Sequence, residues 1–138
     1  MDKMAALAAS GGMTEVMLGK IGEEQAKSAD VKKFASQIVA DHAKANTELK
    51  AIAEAAKIQV DEAPMKEHQK HIDMFKDYKG SDFDKDYIDH MIKDHEEDVA
   101  LFTRASNEAK NEQLKDFAKR TLPTLESHLK MAKSLQGK

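Results

Sequence analysis

Apolar residues recur every three or four positions along most of the chain, which is the spacing of one face of an α-helix. Four long stretches show this pattern. They predict helices over about residues 3–26, 30–57 and 82–109, and a last helix whose apolar face runs from Leu114 to Ala132. Each stretch is long enough to form one edge of a helical bundle.

The connections between these helices predict their arrangement. Short links follow the first and third long helices, so each pair is expected to form an antiparallel hairpin. A longer connection, residues 58–81, joins the hairpins, and Pro64 within it suits the first turn of a shorter helix. The sequence therefore predicts an all-α fold, an antiparallel four-helix bundle with a short extra helix in the connection between the two hairpins.

Composition agrees with this fold and excludes several kinds of function. The chain has 138 residues, 41% hydrophobic and 34% charged, as expected for a single domain over residues 1–138. It has no Cys, so disulfides, thiolate metal sites and cysteine nucleophiles are excluded. The net charge is −3 with both signs interspersed, which argues against nucleic acid as a partner. No apolar run approaches the roughly 18–20 residues of a transmembrane helix.

Each of the four long apolar stripes is interrupted by one ionisable residue. His42 stands between Ile38 and Ala45, and the steps of four and three residues assign it to the buried face. The same argument applies to a glutamate and two further histidines in the other helices. The four inward residues are Glu15, His42, His95 and His128.

These four residues are expected to lie at one height in the bundle. A helix rises about 1.5 Å per residue, and antiparallel neighbours count away from their shared link in opposite directions. Glu15 lies roughly 11 residues before the first link and His42 roughly 12 after it, while His95 and His128 lie roughly 15 and 16 residues from the last link. The difference within each hairpin is only about 1.5 Å, so the four side chains can meet in one layer.

A carboxylate and three imidazoles in a dry interior suit a divalent metal ion, because the ion offsets the cost of burying them. Zinc is the first expectation, and manganese, iron, nickel or copper are also compatible with these ligands. The alternative is a buried polar layer without metal, in which the histidines bond to Glu15, Tyr87, Thr121 or water and fix the helix register. Both interpretations stay open from sequence.

Other polar residues have simpler explanations. His68 and His71 stand among charged residues in the connection, which favours a solvated face, so they are left out of the predicted site. His90 lies four residues from both Asp86 and Asp94, where ion pairing accounts for it.

Two further groups of side chains near the histidines are expected to play supporting roles. Met91 could offer a thioether to copper, but its place on the apolar stripe favours packing. Four acidic residues close to the histidines are expected to point mostly to solvent or a neighbouring helix edge, with one accepting a hydrogen bond from a histidine. These are Asp41, Asp94, Asp98 and Glu126.

Several spaced motifs carry a resemblance that covers nearly the whole chain. They are Gly11-Gly12 with Glu15-Val16 and Leu18-Gly19; Val39-Ala40-Asp41-His42; Phe83-Asp84 with Tyr87 and His95; and Leu122-Pro123-Thr124-Leu125 with His128. In combination they resemble the ferritin-like family of bacterial proteins catalogued as domain of unknown function 4142. The resemblance implies a ferritin-like four-helix bundle, a usually cleaved export signal and a metal-binding role with Glu15, His42, His95 and His128 at the motif positions.

The resemblance also implies a periplasmic or outer-membrane-associated location. The first residues do not show the basic and then apolar pattern of a signal peptide, so this expectation rests on the resemblance alone. Di-iron ferritins are a poorer match, because their Glu-x-x-His pairs would need glutamates where this chain has Val39, Ile92 and Leu125. A mononuclear site is therefore favoured over a carboxylate-bridged di-iron centre.

Three functions follow from these observations. The first is an exported metal-binding protein. The second is a helical bundle without metal that acts as an envelope stress or interaction module. The third is a metalloenzyme of unassigned reaction, which would need an open coordination position, whereas a closed site favours binding.

Overall fold

The computed structural model describes residues 3–137, and this part of the chain contains five α-helices and no strand. The predicted all-α class is therefore confirmed. The helix bounds lie within a few residues of the apolar stripes. The helices are α1 (Lys3–Gln25), α2 (Ala29–Ala56), α3 (Lys66–Lys76), α4 (Phe83–Glu108) and α5 (Glu112–Leu135).

Side-chain caps determine where the long helices begin. Ser28 accepts a hydrogen bond from the Val31 amide at the start of α2, and Asn111 accepts one from the Leu114 amide at the start of α5. At its other end α2 stops at Lys57, whose φ of 59° lies in the left-handed region. These short polar caps allow links of only residues 26–28 and 109–111.

The links fold the chain into two helical hairpins that pack together. α1 packs along α2, and α4 packs along α5, while α2 meets α5 and α1 meets both α3 and α4. The Asp84 carboxylate accepts hydrogen bonds from the Lys27 and Ser28 amides at 2.9 and 2.8 Å, which joins the first link to the start of α4. The result is a helical bundle.

The start of α3 differs from the prediction. Pro64 was expected in the first helical turn but lies two residues before α3, and Met65 is the N-cap. The Met65 amide donates to Ser10 Oγ at 2.8 Å, which holds Met65 in an extended conformation and delays the helix.

The apolar core consists of two clusters on opposite sides of the buried histidines. One cluster includes Ile38 and Ile92, and the other includes Leu49 and Phe102. His42 lies along the chain between Ile38 and Leu49, and in α4 a histidine lies between Ile92 and Phe102. A polar layer therefore divides the core across the bundle.

Within residues 3–137, no helix combines the length and apolar character that a membrane crossing needs.

Close approach of α1 to its neighbours depends on the glycine at position 22. A Cβ built there would lie 2.5 Å from Tyr87 Oη and 2.9 Å from Ala35 Cβ. Tyr87 is completely buried and donates a hydrogen bond to the Leu18 carbonyl, so its ring cannot move aside easily.

We expect Gly22→Ala to lower the free energy of unfolding by about 1–3 kcal/mol, the usual cost of overpacking a core. Gly11→Ala is the matched control on the same helix, because its Cβ would meet only Asp98 Oδ1 at 3.5 Å, an ordinary contact. Alanine propensity predicts that this control is neutral or stabilising by up to about 1 kcal/mol. Urea denaturation of both variants tests this account, which fails if they have equal stability.

Candidate metal centre

Three of the four predicted residues come together in the middle of the bundle. His42 on α2, His95 on α4 and His128 on α5 are 6%, 0% and 1% exposed. Their ring centroids are 5.7 Å apart for His42 and His95, and 5.3 Å apart for each of the other two pairs. Each ring contributes one nitrogen atom, and these three nitrogens lie within 4.8 Å of one another. This spacing is short enough for three rings to bind one ion.

His95 has a tautomer that the surrounding structure determines. Its Nδ1 lies 2.8 Å from the Met91 carbonyl oxygen, which can only accept, so Nδ1 carries a hydrogen. Burial lowers the pKa of His95 to about 4, although the hydrogen bond to Met91 acts to raise it. The ring is therefore neutral at pH 7. Nε2 therefore keeps its lone pair, and it is buried without a hydrogen-bond partner among the described residues.

His128 has the opposite tautomer for a similar reason. Its Nε2 donates to the Asp41 carboxylate at 2.7 Å, which links α5 to α2. Nδ1 is the nitrogen left over, and no partner for it exists within residues 3–137. A carboxylate that holds one imidazole nitrogen while the other faces a metal is the usual arrangement around protein metal ions.

His42 supplies the third free nitrogen. Burial lowers the pKa of His42 well below its usual value, and the neighbouring His95 and His128 lower it further. Its Nε2 is buried, and the described part of the chain offers it no hydrogen bond. A cavity of about 20 Å³ borders His42, Asp98 and Thr121, which is room for one water molecule.

Glu15 lies beside this cluster, on the far side of His95. It is 2% exposed, and its Oε1 is 3.6 Å from His95 Nδ1, the nitrogen that already carries the hydrogen. Burial, followed by the charges of Asp94 and Asp98, raises the pKa of Glu15 well above its usual value. The same contact with Glu15 lowers the pKa of Asp94, so a proton shared between the two carboxyls favours Glu15. The structure places Glu15 next to the three histidines but not within their shared distance.

Within residues 3–137, protein groups alone do not complete a hydrogen-bonded polar layer around the three rings. Tyr87, one of the partners expected for the histidines, donates to the Leu18 carbonyl at 3.0 Å. Buried polar atoms in proteins nearly always have a partner. Three unpartnered nitrogens on three adjacent rings are therefore available to a bound ion or to water.

Helix α3, in the connection between the hairpins, holds two histidines whose surroundings were predicted wrongly. His68 and His71 are partly buried, with His68 Nδ1 2.5 Å from Ser10 Oγ, so the expectation of a solvated face is wrong. Both share a helical face with the buried residues Ile72 and Phe75 at spacings of three, one and three residues. That pattern was the signal that could have identified them.

The acidic residues near the histidines differ in their partners and in their burial. Asp41 is the acceptor expected for a histidine. Asp94 is only 14% exposed and pairs with His90 at 3.1 Å, so the predicted pair is confirmed. Asp94 also lies near His71 of α3, which agrees with the expected position at a neighbouring helix edge. Asp86 instead accepts from the Tyr78 hydroxyl. Asp98 is also partly buried, because it borders the cavity beside His42, and burial raises the pKa of its carboxyl to about 7.

Comparison with known families agrees with the motif resemblance. A family model described as Domain of unknown function (DUF4142) matches residues 2–135. Because this match covers almost the whole chain, the protein belongs to that family. No curated protein and no solved structure matches the chain. Function is therefore argued from the geometry of the site.

The raised pKa of Glu15 predicts a pH-dependent effect of Glu15→Gln. The native carboxyl holds its proton at pH values where the unfolded chain has released it, so wild-type stability from this group falls as pH rises above the unfolded value of about 4.5. Glutamine resembles the protonated carboxyl in size and does not titrate. The variant should therefore gain stability relative to the wild type between pH 5 and pH 8.

Urea denaturation of metal-free protein at pH 5 and pH 8, with chelator present, measures this gain. A difference in unfolding free energy that is the same at both pH values would show that Glu15 has an ordinary pKa.

Proposed function

We propose that this protein is an exported, ferritin-like metal-binding protein that holds one divalent ion between His42, His95 and His128. The observation that carries the proposal is the set of three buried ring nitrogens without partners, one on each histidine. The ferritin-like topology and the periplasmic location are part of the proposal and are supported by the motif resemblance and by membership of the family.

The ligand chemistry favours a borderline divalent ion, with zinc as the first choice. Neutral imidazole is a good ligand for zinc, copper, nickel and iron, and the low pKa values of His42 and His95 keep both rings neutral at pH 7. Three imidazoles would leave one position of a tetrahedral zinc ion for a water molecule. The site is buried within the bundle, and this enclosure favours binding over catalysis.

Glu15 acts on His95 in this proposal. Its carboxyl contacts Nδ1 at 3.6 Å, and Nδ1 carries the hydrogen because it donates to Met91. Glu15 therefore packs against the outer side of the ring that binds the ion, and its raised pKa disfavours a negative charge at that position.

Removing a ligand should remove one equivalent of bound zinc. We expect His42→Ala and His128→Ala each to bind one zinc fewer than the wild type at pH 7.5, measured by equilibrium dialysis and elemental analysis of protein without a histidine tag. His68→Ala is the control, because this histidine lies on α3 and bonds to Ser10. His42→Gln, with circular dichroism, separates loss of ligand from loss of fold. Retention of all zinc by the two alanine variants would contradict the proposal.

The Asp41–His128 hydrogen bond predicts a smaller effect on affinity. Loss of a carboxylate that orients a ligating histidine typically weakens metal binding by about 10–100-fold. Asp41→Asn should therefore reduce the zinc affinity of the histidine site by about that factor, measured by competition with a chelator. Asp116→Asn is a matched exposed control, because Asp116 pairs with Arg120 far from the histidines. Equal affinities for both variants would show that Asp41 does not support the site.

A further inference from the structure

A second cluster of metal-binding side chains lies where α3 faces α4. His71 comes from α3, and His90 and Asp94 come from successive turns of α4. One potential ligand atom of each lies within 4.8 Å of the other two. All three residues are partly exposed, in contrast to the buried histidines in the centre of the bundle.

The two imidazoles of this cluster are held close together. The rings of His71 and His90 have centroids 4.7 Å apart and are inclined by 79°. His90 also packs against Phe75 at 5.1 Å, so its position is fixed by the core. Two imidazoles at this distance can both reach one metal ion between them.

One nitrogen of His90 lacks a satisfactory partner. Nε2 is buried and lies 3.1 Å from Asp94 Oδ2, within ion-pair distance, but no acceptor in residues 3–137 meets hydrogen-bond geometry for it. Without hydrogen-bond geometry to Asp94, Nε2 remains available to a bound ligand. This observation is independent of the proximity of the three side chains.

Asp94 and His71 have the protonation states that metal binding requires. Burial raises the pKa of Asp94, but the contacts with His90 and Glu15 outweigh burial and lower it, so the group is an anion at pH 7. Burial, followed by the neighbouring His90, lowers the pKa of His71, so its ring is neutral at the same pH. The cluster therefore offers two imidazoles and one carboxylate.

We propose that His71, His90 and Asp94 form a second divalent metal site, separate from the three central histidines and open to solvent on one side. Two histidines and one carboxylate are a ligand set that zinc and iron(II) enzymes and binding proteins use, with water in the remaining positions. The open side gives the ion a direct path from solvent, which the central site does not have. Glu15 lies between the two sites, in contact with Asp94 on one side and His95 on the other.

Zinc stoichiometry of single variants tests this second site. We expect the wild type to bind two equivalents at pH 7.5, and His71→Ala and Asp94→Asn to bind one. His71 is the safer substitution for folding, because it is partly exposed and makes its ring contact with His90 alone. His68→Ala, three residues earlier on α3, is the matched control and should bind two. Circular dichroism and the melting temperature of the metal-free proteins confirm the fold of each variant.

Cobalt(II) provides a second measurement that does not depend on counting equivalents. Cobalt bound in a site of imidazoles and one carboxylate gives visible absorption that depends on its ligands, and His71→Ala should lose one component of the wild-type spectrum. The double variant His42→Ala with His71→Ala should lose both components and both equivalents of zinc. Equal stoichiometry and equal spectra for wild type and His71→Ala would overturn the proposal, and so would the loss of the same equivalent in His68→Ala.

These variants separate the two sites. If only the His42 and His128 substitutions reduce zinc binding, the central site is correct and the second is wrong. If only His71→Ala and Asp94→Asn reduce zinc binding, the second site is correct and the central site is wrong.

Discussion

The structure depends on the burial of three imidazole rings in one layer of an apolar core. Each ring has a nitrogen that is buried and has no hydrogen-bond partner in the part of the chain that is described. An unsatisfied buried polar atom costs about 1–3 kcal/mol, and three such atoms amount to a large part of the roughly 5–15 kcal/mol that stabilises a typical domain. A bound metal ion would offset this cost, because it accepts all three lone pairs at once.

The surrounding helices are arranged so that this layer can form. Asp41 and the Met91 carbonyl each hold the hydrogen of one ring, which turns the lone pairs of His128 and His95 inward. The two apolar clusters lie on either side of the layer and keep it from bulk water. Close packing of α1, which requires a glycine at position 22, brings Glu15 against His95. Stability of the bundle and geometry of the site are therefore linked.

Helical periodicity was sufficient to predict the main elements and the central histidines. The steps of three and four residues around His42, His95 and His128 fix both the face and the height of each side chain, and these are the properties that bring the rings together. Glu15 was correctly predicted to face the interior, but its position relative to the three rings was not predictable from spacing. Its stripe contains glycines, which define a helical face only weakly, and the side chain meets the outer nitrogen of His95.

Features that depend on tertiary packing were not predictable from spacing. The Asp41–His128 pair required the rotation of α2 relative to α5, and charged neighbours in α3 concealed the partly buried face that carries His71. His90 was correctly predicted to pair with Asp94, but its contact with His71 depends on how α3 lies against α4. In each case the residue could be identified from the sequence, but its partner depended on how the helices pack.

Nitrogen NMR of the histidine rings tests the central claim most directly, because it reports which nitrogen of each ring carries the hydrogen. In metal-free protein at pH 7.5, we expect the hydrogen of His95 on Nδ1 and that of His128 on Nε2. Saturating zinc should then shift the signals of His95 Nε2, His128 Nδ1 and His42 Nε2, the three unprotonated nitrogens. Hydrogens on the opposite nitrogens, doubly protonated rings, or signals that zinc leaves unchanged would contradict the account.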